Sequence, residues 1–329
     1  MSIAVGLVGF GLSARVLHRP LIEAAGMNIV AVVTRQVQAL QNALPAAQAL
    51  PDLEALLALP RLDLVVIATP NHLHFPQALA ALRAGKHVVI DKPMALSTEE
   101  CDRLIEAAAA RPLVLSVFHN RRWDSDFLTL RRLIERDALG ALVAFEARWD
   151  RYRPTVPDRW RERPGCGGGV LYDLGAHLID QALCLFGLPE WIEADVFAQR
   201  AGAQADDALR VGVVRIPGPD LLDRRLVDMG GGVEVGFTDV QSDDVHAAGH
   251  ASGDVLADAE GILGPERTDS LSEKSHVRVV SPVMRCMVIA RWGVPDPAID
   301  PGPPLTARVP RQMFVALLTA VQHDKLALH

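Results

Sequence analysis

The segment that most constrains the fold is a glycine-rich turn directly after the first apolar run. Residues 3–8 read IAVGLV, and residues 9–14 read GFGLSA. In a GxGxxA turn between a strand and a helix, the first glycine (Gly9) makes the tight turn, the second (Gly11) lets the backbone approach a pyrophosphate, and the alanine (Ala14) allows close helix packing. The segment therefore predicts a strand, a turn and a helix whose N-terminal amides face the phosphates of a dinucleotide. The alternative is a plain glycine turn without a ligand.

Apolar runs alternate with helical segments through the first third of the chain. Four further runs rich in β-branched residues occupy residues 28–33, 64–68, 87–90 and 113–117. Helical segments lie between them, such as residues 97–110, where Ser97 and Glu100 form a capping-box signature. Strands that are apolar throughout and alternate with helices are typical of a parallel sheet covered on both faces. We therefore predict a doubly wound α/β domain over residues 1–120.

The pattern changes after residue 120, and we predict a second domain over residues 121–329. A polar loop, a helix and the strand LVAFEARWD (142–150) open it, but alternating strands are hard to find from about residue 208. Aromatic residues become rare there, and clustered prolines in VPDPAIDPGPP (294–304) oppose regular strand pairing. We expect the chain to be irregular from about residue 208, either strongly diverged or the product of a shifted reading frame.

The charge and cysteine pattern exclude several classes of partner. A formal net charge of −7 provides no basic field for nucleic acid, and no apolar run is long enough to span a bilayer. The four cysteines are scattered without a CxxC pair, and the N-terminus lacks the basic region of a signal peptide. These features favour a cytoplasmic protein with a small-molecule partner.

The end of the second predicted strand indicates which dinucleotide binds. NAD enzymes usually place an acid here for the ribose 2′-hydroxyl, but no Asp or Glu lies between Glu23 and Asp52. Arg35 stands at this position instead, and Thr34 can donate a hydrogen bond beside it. A guanidinium suits a 2′-phosphate, so we predict NADP, with NAD as the other option. Arg35 as a solvated turn residue is the structural alternative.

Two more strand ends carry polar residues. The segments ATPNHLH (68–74) and DKPMA (91–95) lie beyond the carboxyl ends of their strands, where ligands of open α/β sheets bind. Lys92 follows a fully apolar strand, which places it near the nicotinamide. The predicted cofactor contacts are Gly9, Gly11, Ala14, Thr34, Arg35, Thr69, Pro70, Asn71, His74, Lys92 and Pro93.

The segment YDLGAHLIDQ (172–181) places Asp173, His177 and Asp180 at helical spacing. His177 is suited to be the general base, with Asp173 four residues earlier bonded to its imidazole. Lys92 would polarise the substrate oxygen. A metal site is disfavoured because zinc prefers more His or Cys and Asp180 lies almost two turns from Asp173, so we expect no metal. A buried helix start, in which Asp173 caps and His177 packs, is the remaining alternative.

Four segments carry a resemblance to a known family: DKPMALS (91–97), SVFHNRRWDSDFLTL (116–130), RYRPTVPDRWRE (151–162) and LYDLGAHLIDQALCLFGLP (171–189). With the glycine-rich turn, the chain resembles the Gfo/Idh/MocA family of NAD(P)-dependent sugar and polyol oxidoreductases, in particular its NADP-type scyllo-inositol 2-dehydrogenase branch. The resemblance covers about residues 3 to 207.

The resemblance implies roles for individual residues. It implies that Lys92, Asp173 and His177 are catalytic, although Asp91 stands where the family's E-K-P motif has Glu. It implies a second domain with a mostly antiparallel sheet that forms the substrate wall and, if intact, a homo-oligomer interface. The implied substrate contacts are Asn120, Arg122, Tyr152, Trp160 and His177.

Two functions follow from these observations. The first is a dehydrogenase that transfers a hydride between NADP and a secondary alcohol of a cyclic polyol or sugar. Because of an arginine-rich loop, a sugar phosphate is the second substrate that we consider, after a neutral polyol or sugar. The second function is a non-catalytic NADP-binding regulatory protein, which the irregular region after about residue 208 motivates.

Overall fold

The computed structural model describes residues 2–139, 141–189 and 191–214, together with three strands at 232–240, 274–280 and 285–291. Two six-stranded sheets organise these residues. In this part of the chain, no helix has the length and apolar character needed to cross a membrane.

The first sheet is wholly parallel and forms the N-terminal half of the fold. Its strand order is β3-β2-β1-β4-β5-β6, the arrangement of doubly wound dinucleotide-binding domains, with a crevice where the order reverses next to β1. This confirms the predicted fold class. The strands are β1 (Ala4–Val8), β2 (Asn28–Val33), β3 (Gln48–Leu50), β4 (Leu64–Ile67), β5 (His87–Asp91) and β6 (Leu115–Phe118).

Helices cover both faces of this sheet because consecutive apolar residues of its strands point to opposite sides. On β4, for example, Val65 and Ile67 join one buried cluster, whereas Val66 joins the other. The helices are α1 (Arg19–Ala24), α2 (Val37–Ala43), α3 (Leu53–Leu57), α4 (His74–Arg83) and α5 (Thr98–Ala109). A π-helical turn, Ala14–His18, leads into α1.

The predicted helix start at residue 97 is confirmed with one difference. The Ser97 hydroxyl oxygen accepts a hydrogen bond from the Glu100 amide at 3.2 Å. The Glu100 carboxylate reaches back to the amide of Leu96, at 3.1 Å, rather than to that of Ser97. The two hydrogen bonds thus satisfy backbone amides at the start of α5, as in a capping box.

The second sheet is mostly antiparallel. Its order is β11-β12-β7-β10-β9-β8, and among the described pairings only that of β7 with β10 is parallel. The strands are β7 (Ala141–Tyr152), β8 (Trp191–Phe197), β9 (Ala208–Val214), β10 (Gly232–Val240), β11 (Lys274–Val280) and β12 (Arg285–Arg291).

Two helices, α6 (Ser125–Glu135) and α7 (Ala176–Phe186), pack against this sheet. On β7, Phe145 and Trp149 are buried in the same core as Leu130 of α6 and Leu178 of α7. The Arg148 side chain points the other way and is exposed. This period-2 alternation is typical of a sheet with one face on the core.

The expected irregular structure from about residue 208 needs correction at four places. Residues in β9, β10, β11 and β12 are extended and paired in the second sheet. The proline-rich segment 294–304 and the remaining positions after residue 214 lie outside the described residues. The choice between divergence and a shifted reading frame therefore stays a prediction.

Candidate active site

The glycine-rich turn has the geometry needed for a pyrophosphate. Gly9 has a φ of +96°, and a Cβ there would lie 2.5 Å from the Ala68 carbonyl oxygen, so only glycine fits. A Cβ on Gly11 would meet no atom within 4 Å, which leaves open space beside the turn. Ala14 is fully buried against the domain. The residues present thus fit a dinucleotide at the fingerprint turn.

The end of β2 is open to solvent. Arg35 is exposed, and the Thr34 hydroxyl oxygen accepts a hydrogen bond from the Gln36 amide at 2.9 Å. This bond leaves the Thr34 hydroxyl proton available for donation. An exposed guanidinium beside it can reach a phosphate without first breaking a buried contact.

The predicted cofactor residues after β4 bond mainly to the protein itself. The Thr69 hydroxyl donates to Gln77 at 2.7 Å, and the Asn71 amide donates to the Gly167 carbonyl oxygen at 2.7 Å. The His74 ring lies between the carbonyl oxygens of Pro93 (2.8 Å) and Thr69 (2.9 Å) and has no exposed surface. Burial lowers its pKa.

These contacts show how the protein holds two of the predicted cofactor residues, whose contact with a cofactor stays a prediction. His74 holds the loops after β4 and β5 together, and its side chain is fully enclosed. Asn71 connects the first domain to the glycine-rich loop of the second. Of the neighbouring prolines, Pro70 is half-buried and Pro93 is buried.

Lys92 meets Asp173 where the two domains join. The Lys92 ammonium donates to the main-chain carbonyl oxygen of Asp173 and lies 3.3 Å from its carboxylate. Burial lowers the pKa of Lys92, and the Asp173 carboxylate opposes that decrease. Burial raises the pKa of Asp173, but the charges of Lys92 and Arg161 outweigh burial and hold it below the usual value.

The expected hydrogen bond from Asp173 to His177 is not formed. The Asp173 carboxylate instead contacts Lys92 and Arg161, each at 3.3 Å. The spacing of Asp173 and His177 brings the two side chains together in an α-helix, whereas residues Leu171–Gly175 form a π-helical turn before α7. Its i→i+5 bonding changes which residues share a face, so Asp173 points to Lys92 rather than to the imidazole.

His177 lies in the first turn of α7 and is 6% exposed. Its Nδ1 atom has no hydrogen-bond partner among the described residues, and its ring centroid is 6.5 Å from that of Trp149. Burial, followed by the charges of Lys92, Arg121 and His119, lowers the pKa of His177 well below 6.5. The imidazole is therefore in its neutral, proton-accepting form at neutral pH.

The Arg122 side chain forms an ion pair with Asp180. Its guanidinium makes two hydrogen bonds to the Asp180 carboxylate, at 2.8 and 2.6 Å, and Asp180 is 2% exposed. This bidentate pair fastens α7 to the turn after β6. The substrate contact predicted for Arg122 stays a prediction, and Asp180 holds the guanidinium in place.

The other predicted substrate residues occupy the rim of the second domain. Tyr152 ends β7 and is 59% exposed, Asn120 is half-buried just after β6, and Trp160 is half-buried with the Arg161 guanidinium 4.5 Å from its ring centroid. Because Arg161 also contacts Asp173, Trp160 is connected to the Lys92 site. In the part of the chain covered by the structure, no cluster of three or more His, Cys, Asp or Glu could hold a metal ion.

Sequence reasoning missed a buried pair behind Lys92. His18 Nε2 lies 2.7 Å from an Asp91 carboxylate oxygen, and the His18 ring packs on Phe118 with centroids 4.2 Å apart. Burial raises the pKa of Asp91, but bonds from His18 and Ser13 keep it below its usual value. The available signal was Asp91 itself, a carboxylate at the end of an apolar strand directly before Lys92.

The sequence was compared with known protein families. Residues 3–119 match the oxidoreductase family with an NAD-binding Rossmann fold, and residues 127–214 match the GFO/IDH/MocA C-terminal domain. The chain belongs to the Gfo/Idh/MocA family.

Named relatives of this Gfo/Idh/MocA chain include two bacterial proteins. It is 42% identical over 207 residues to scyllo-inositol 2-dehydrogenase (NADP(+)) IolW of Bacillus subtilis, covering 63% of this chain and 58% of IolW. It is 46% identical over 207 residues to the uncharacterised oxidoreductase YdgJ of Escherichia coli, covering 63% and 60%. The match thus spans less than two thirds of the length of these curated relatives.

A solved structure extends the comparison. A Yersinia pestis protein assigned as an oxidoreductase is 31% identical, with a TM-score of 0.67, and the match covers 99% of this chain and 94% of that one. The arrangement of a Rossmann domain followed by a Gfo/Idh/MocA C-terminal domain is therefore shared with an experimental structure.

Proposed function

We propose that this chain is an NADP-dependent oxidoreductase that acts on a secondary alcohol of a cyclic polyol or sugar. In this proposal residues 1–120 bind NADP and residues 121–329 provide the substrate wall and a homo-oligomer interface, in the cytoplasm. The observation that carries the proposal is the contact of Lys92 with Asp173 beside the buried, neutral imidazole of His177. It unites groups from both domains at the carboxyl end of the first sheet, where ligands of this fold bind.

His177 is the proposed general base. Oxidation of a secondary alcohol requires a group that takes the hydroxyl proton, and the neutral imidazole of His177 can accept it. Burial and the positive charges of Lys92 and Arg121 disfavour the imidazolium, so His177 releases the proton readily after each turnover. Bound at the fingerprint turn, the nicotinamide cofactor would accept the hydride from the substrate carbon.

Lys92 and Asp173 are proposed to act together on the substrate oxygen. The Lys92 side chain is 17% exposed, and its ammonium would turn one donor from its weakest contact, the Tyr172 carbonyl oxygen at 3.5 Å, to the substrate oxygen and stabilise the developing negative charge. Asp173 fixes the ammonium through its main-chain carbonyl and its carboxylate. Asp173 thereby serves Lys92 rather than His177, which revises the role that spacing alone predicted.

The cofactor and substrate proposals have separate support. Arg35 and Thr34 at the open end of β2 support NADP over NAD, as does the NADP(+) in the name of IolW. The substrate named for IolW supports a cyclic polyol. Thr69, Asn71 and His74 are proposed to support the cofactor loops from behind.

Purified protein tests the proposal directly. It would be incubated with NADP or NAD and with scyllo-inositol, myo-inositol or aldoses, and the absorbance of the reduced cofactor would be followed. We expect turnover of at least one cyclic polyol, with NADP preferred. Tight NADPH binding without turnover of any of these compounds would contradict the enzyme assignment.

A further inference from the structure

His119 is a buried imidazole that the proposed mechanism does not use. It directly follows β6, next to the strand end that carries Lys92, and is 6% exposed. Neither ring nitrogen has a hydrogen-bond partner among the described residues. The Asp180 carboxylate is 3.6 Å from Nδ1, which is beyond hydrogen-bond length, and Asp180 is already bonded to Arg122.

Other buried polar atoms at the same place also lack partners. They are Arg121 Nε, His177 Nδ1 and Gln181 Oε1, again counted among the described residues. Gln181 Nε2 donates to the Arg121 carbonyl oxygen at 2.9 Å, and the Arg121 guanidinium lies 4.1 Å from the centre of the Trp149 ring that neighbours His177. Arg121 and His119 both lie near enough to His177 to be coupled to it electrostatically when they carry a charge. These atoms therefore belong to one cluster around the proposed base.

The chemistry of the cluster selects one kind of ligand. Arg121 Nε is a donor, Gln181 Oε1 is an acceptor, and each neutral imidazole has one donor and one acceptor nitrogen. Burial lowers the pKa of His119 to about 4, although Asp180 opposes the decrease, so this ring is neutral near pH 7. A hydroxyl group both donates and accepts, and it matches such a mixture. A phosphate only accepts, and would leave the acceptors of the cluster unsatisfied.

We infer that His119 is a specificity-determining residue that hydrogen-bonds a hydroxyl of the substrate other than the one that reacts. The inference rests on the proposed function and deepens it, because the mixed donors and acceptors favour a hydroxyl of the substrate, and not a phosphate group, beside His119. A substrate hydroxyl is the partner that the buried His119 nitrogens require. His177 then acts on the reacting hydroxyl, whereas His119 selects the molecule that carries it.

Binding measurements on variants test this inference without relying on turnover. The NADPH-loaded protein would be titrated calorimetrically with scyllo-inositol, and kcat and KM would be measured in parallel with NADP. His119→Phe should weaken scyllo-inositol binding and raise KM about ten-fold, because one buried hydrogen bond is lost. NADPH affinity and kcat should stay within about two-fold of the wild type, since His119 is assigned no part in either. His119→Gln, which keeps a donor and an acceptor, should recover most of the affinity.

A control is Asn28→Phe, which introduces the same side chain at an exposed, uncharged position at the start of β2, opposite the carboxyl ends of the strands, and should change none of these values. If His119→Phe does not bind NADPH, His119→Gln and His119→Asn are compared instead, and the shorter Asn should bind the polyol more weakly. Unchanged scyllo-inositol affinity in His119→Phe, or equal losses in the Phe and Gln variants, would overturn the inference.

The outcomes also separate this inference from the proposed function. If the wild type binds scyllo-inositol in a His119-dependent way but does not turn it over, the dehydrogenase assignment fails and the role of His119 stands. If the wild type turns over a cyclic polyol and His119→Phe binds that polyol as tightly as the wild type, the dehydrogenase assignment stands and the role of His119 is overturned.

Discussion

The two halves of the described chain differ in how completely their buried polar side chains are hydrogen-bonded. Within residues 2–118, all of which the structure describes, no buried side-chain nitrogen or oxygen lacks a hydrogen-bond partner. His18 is paired with Asp91, and His74 lies between two carbonyl oxygens, one of which accepts the proton of its neutral ring. From residue 119 onward, His119 and His177 have buried nitrogens without partners among the described residues.

This difference separates scaffold histidines from candidate reactive ones. A buried polar group with good partners stabilises the fold and has little capacity left for a ligand. A buried group without partners is costly, and such groups persist where they serve binding or catalysis. His18 and His74 thus maintain the cofactor-side loops, whereas His119 and His177, whose nitrogens have no partner among the described residues, are the histidines that we propose for the substrate.

The largest expected effect tests the reactive side. His177→Ala should lower kcat for polyol oxidation about 10²- to 10⁴-fold, the usual contribution of a positioned general base. NADPH affinity, measured by fluorescence titration, should hardly change because His177 is not among the proposed cofactor contacts. A comparable loss of both quantities would mean that His177 is a packing residue like His18.

The same replacement on both sides tests the comparison itself. His18→Phe should lower the free energy of unfolding by about 1–3 kcal/mol, because the half-buried Asp91 carboxylate loses its bond to His18 and keeps only that to Ser13. His119→Phe should change it by less than about 1 kcal/mol or increase it, since no hydrogen bond to a described residue is lost. Urea unfolding of the apo variants measures both values. Equal destabilisation would remove the distinction between partnered and unpartnered histidines.

The sequence predicts the cofactor half well because its signals are local. A glycine turn, a capping serine and continuous apolar runs each act within a few residues, and the strands lie close to the predicted positions. Only β3 was missed, because its residues Gln48–Leu50 include no β-branched side chain and it is placed by pairing with β2.

The candidate site is predicted less completely because its decisive contacts are distant in sequence. Arg122 and Asp180 are separated by 58 residues, and His18 and Asp91 by 73, so no periodicity reveals either pair. Even a prediction from local spacing was wrong at the π-helical turn before α7. The spacing of Asp173 and His177 implied a contact, which the altered hydrogen bonding of this turn prevents. Residue types could be predicted, but their partners required the fold.

A smaller effect tests the exposed end of the cofactor half. Arg35→Asp should shift the ratio of kcat/KM for NADP over NAD by about ten-fold or more towards NAD, because a carboxylate repels a 2′-phosphate and accepts from a ribose hydroxyl. Arg15→Asp, at an exposed position beside the fingerprint turn, provides a charge-matched control. An unchanged ratio would show that Arg35 is only a solvated turn residue.

The smallest expected effect is a displacement of the acid limb of the pH profile. Burial and neighbouring positive charges lower the pKa of His177 well below 6.5, so the base form persists as the pH falls through that value. For polyol oxidation, kcat/KM should therefore not fall to half its plateau until the pH is clearly below 6.5, and a limb at or above 6.5 would contradict this.

Arg121→Gln removes one of the charges that lower the pKa of His177, so the limb should move towards higher pH. Arg136→Gln, an exposed residue after α6, controls for a general change in surface charge. The direction of the shift in Arg121→Gln is decisive. If a carboxylate rather than positive charges set the pKa of His177, that pKa would lie above the ordinary histidine value, and so would the acid limb.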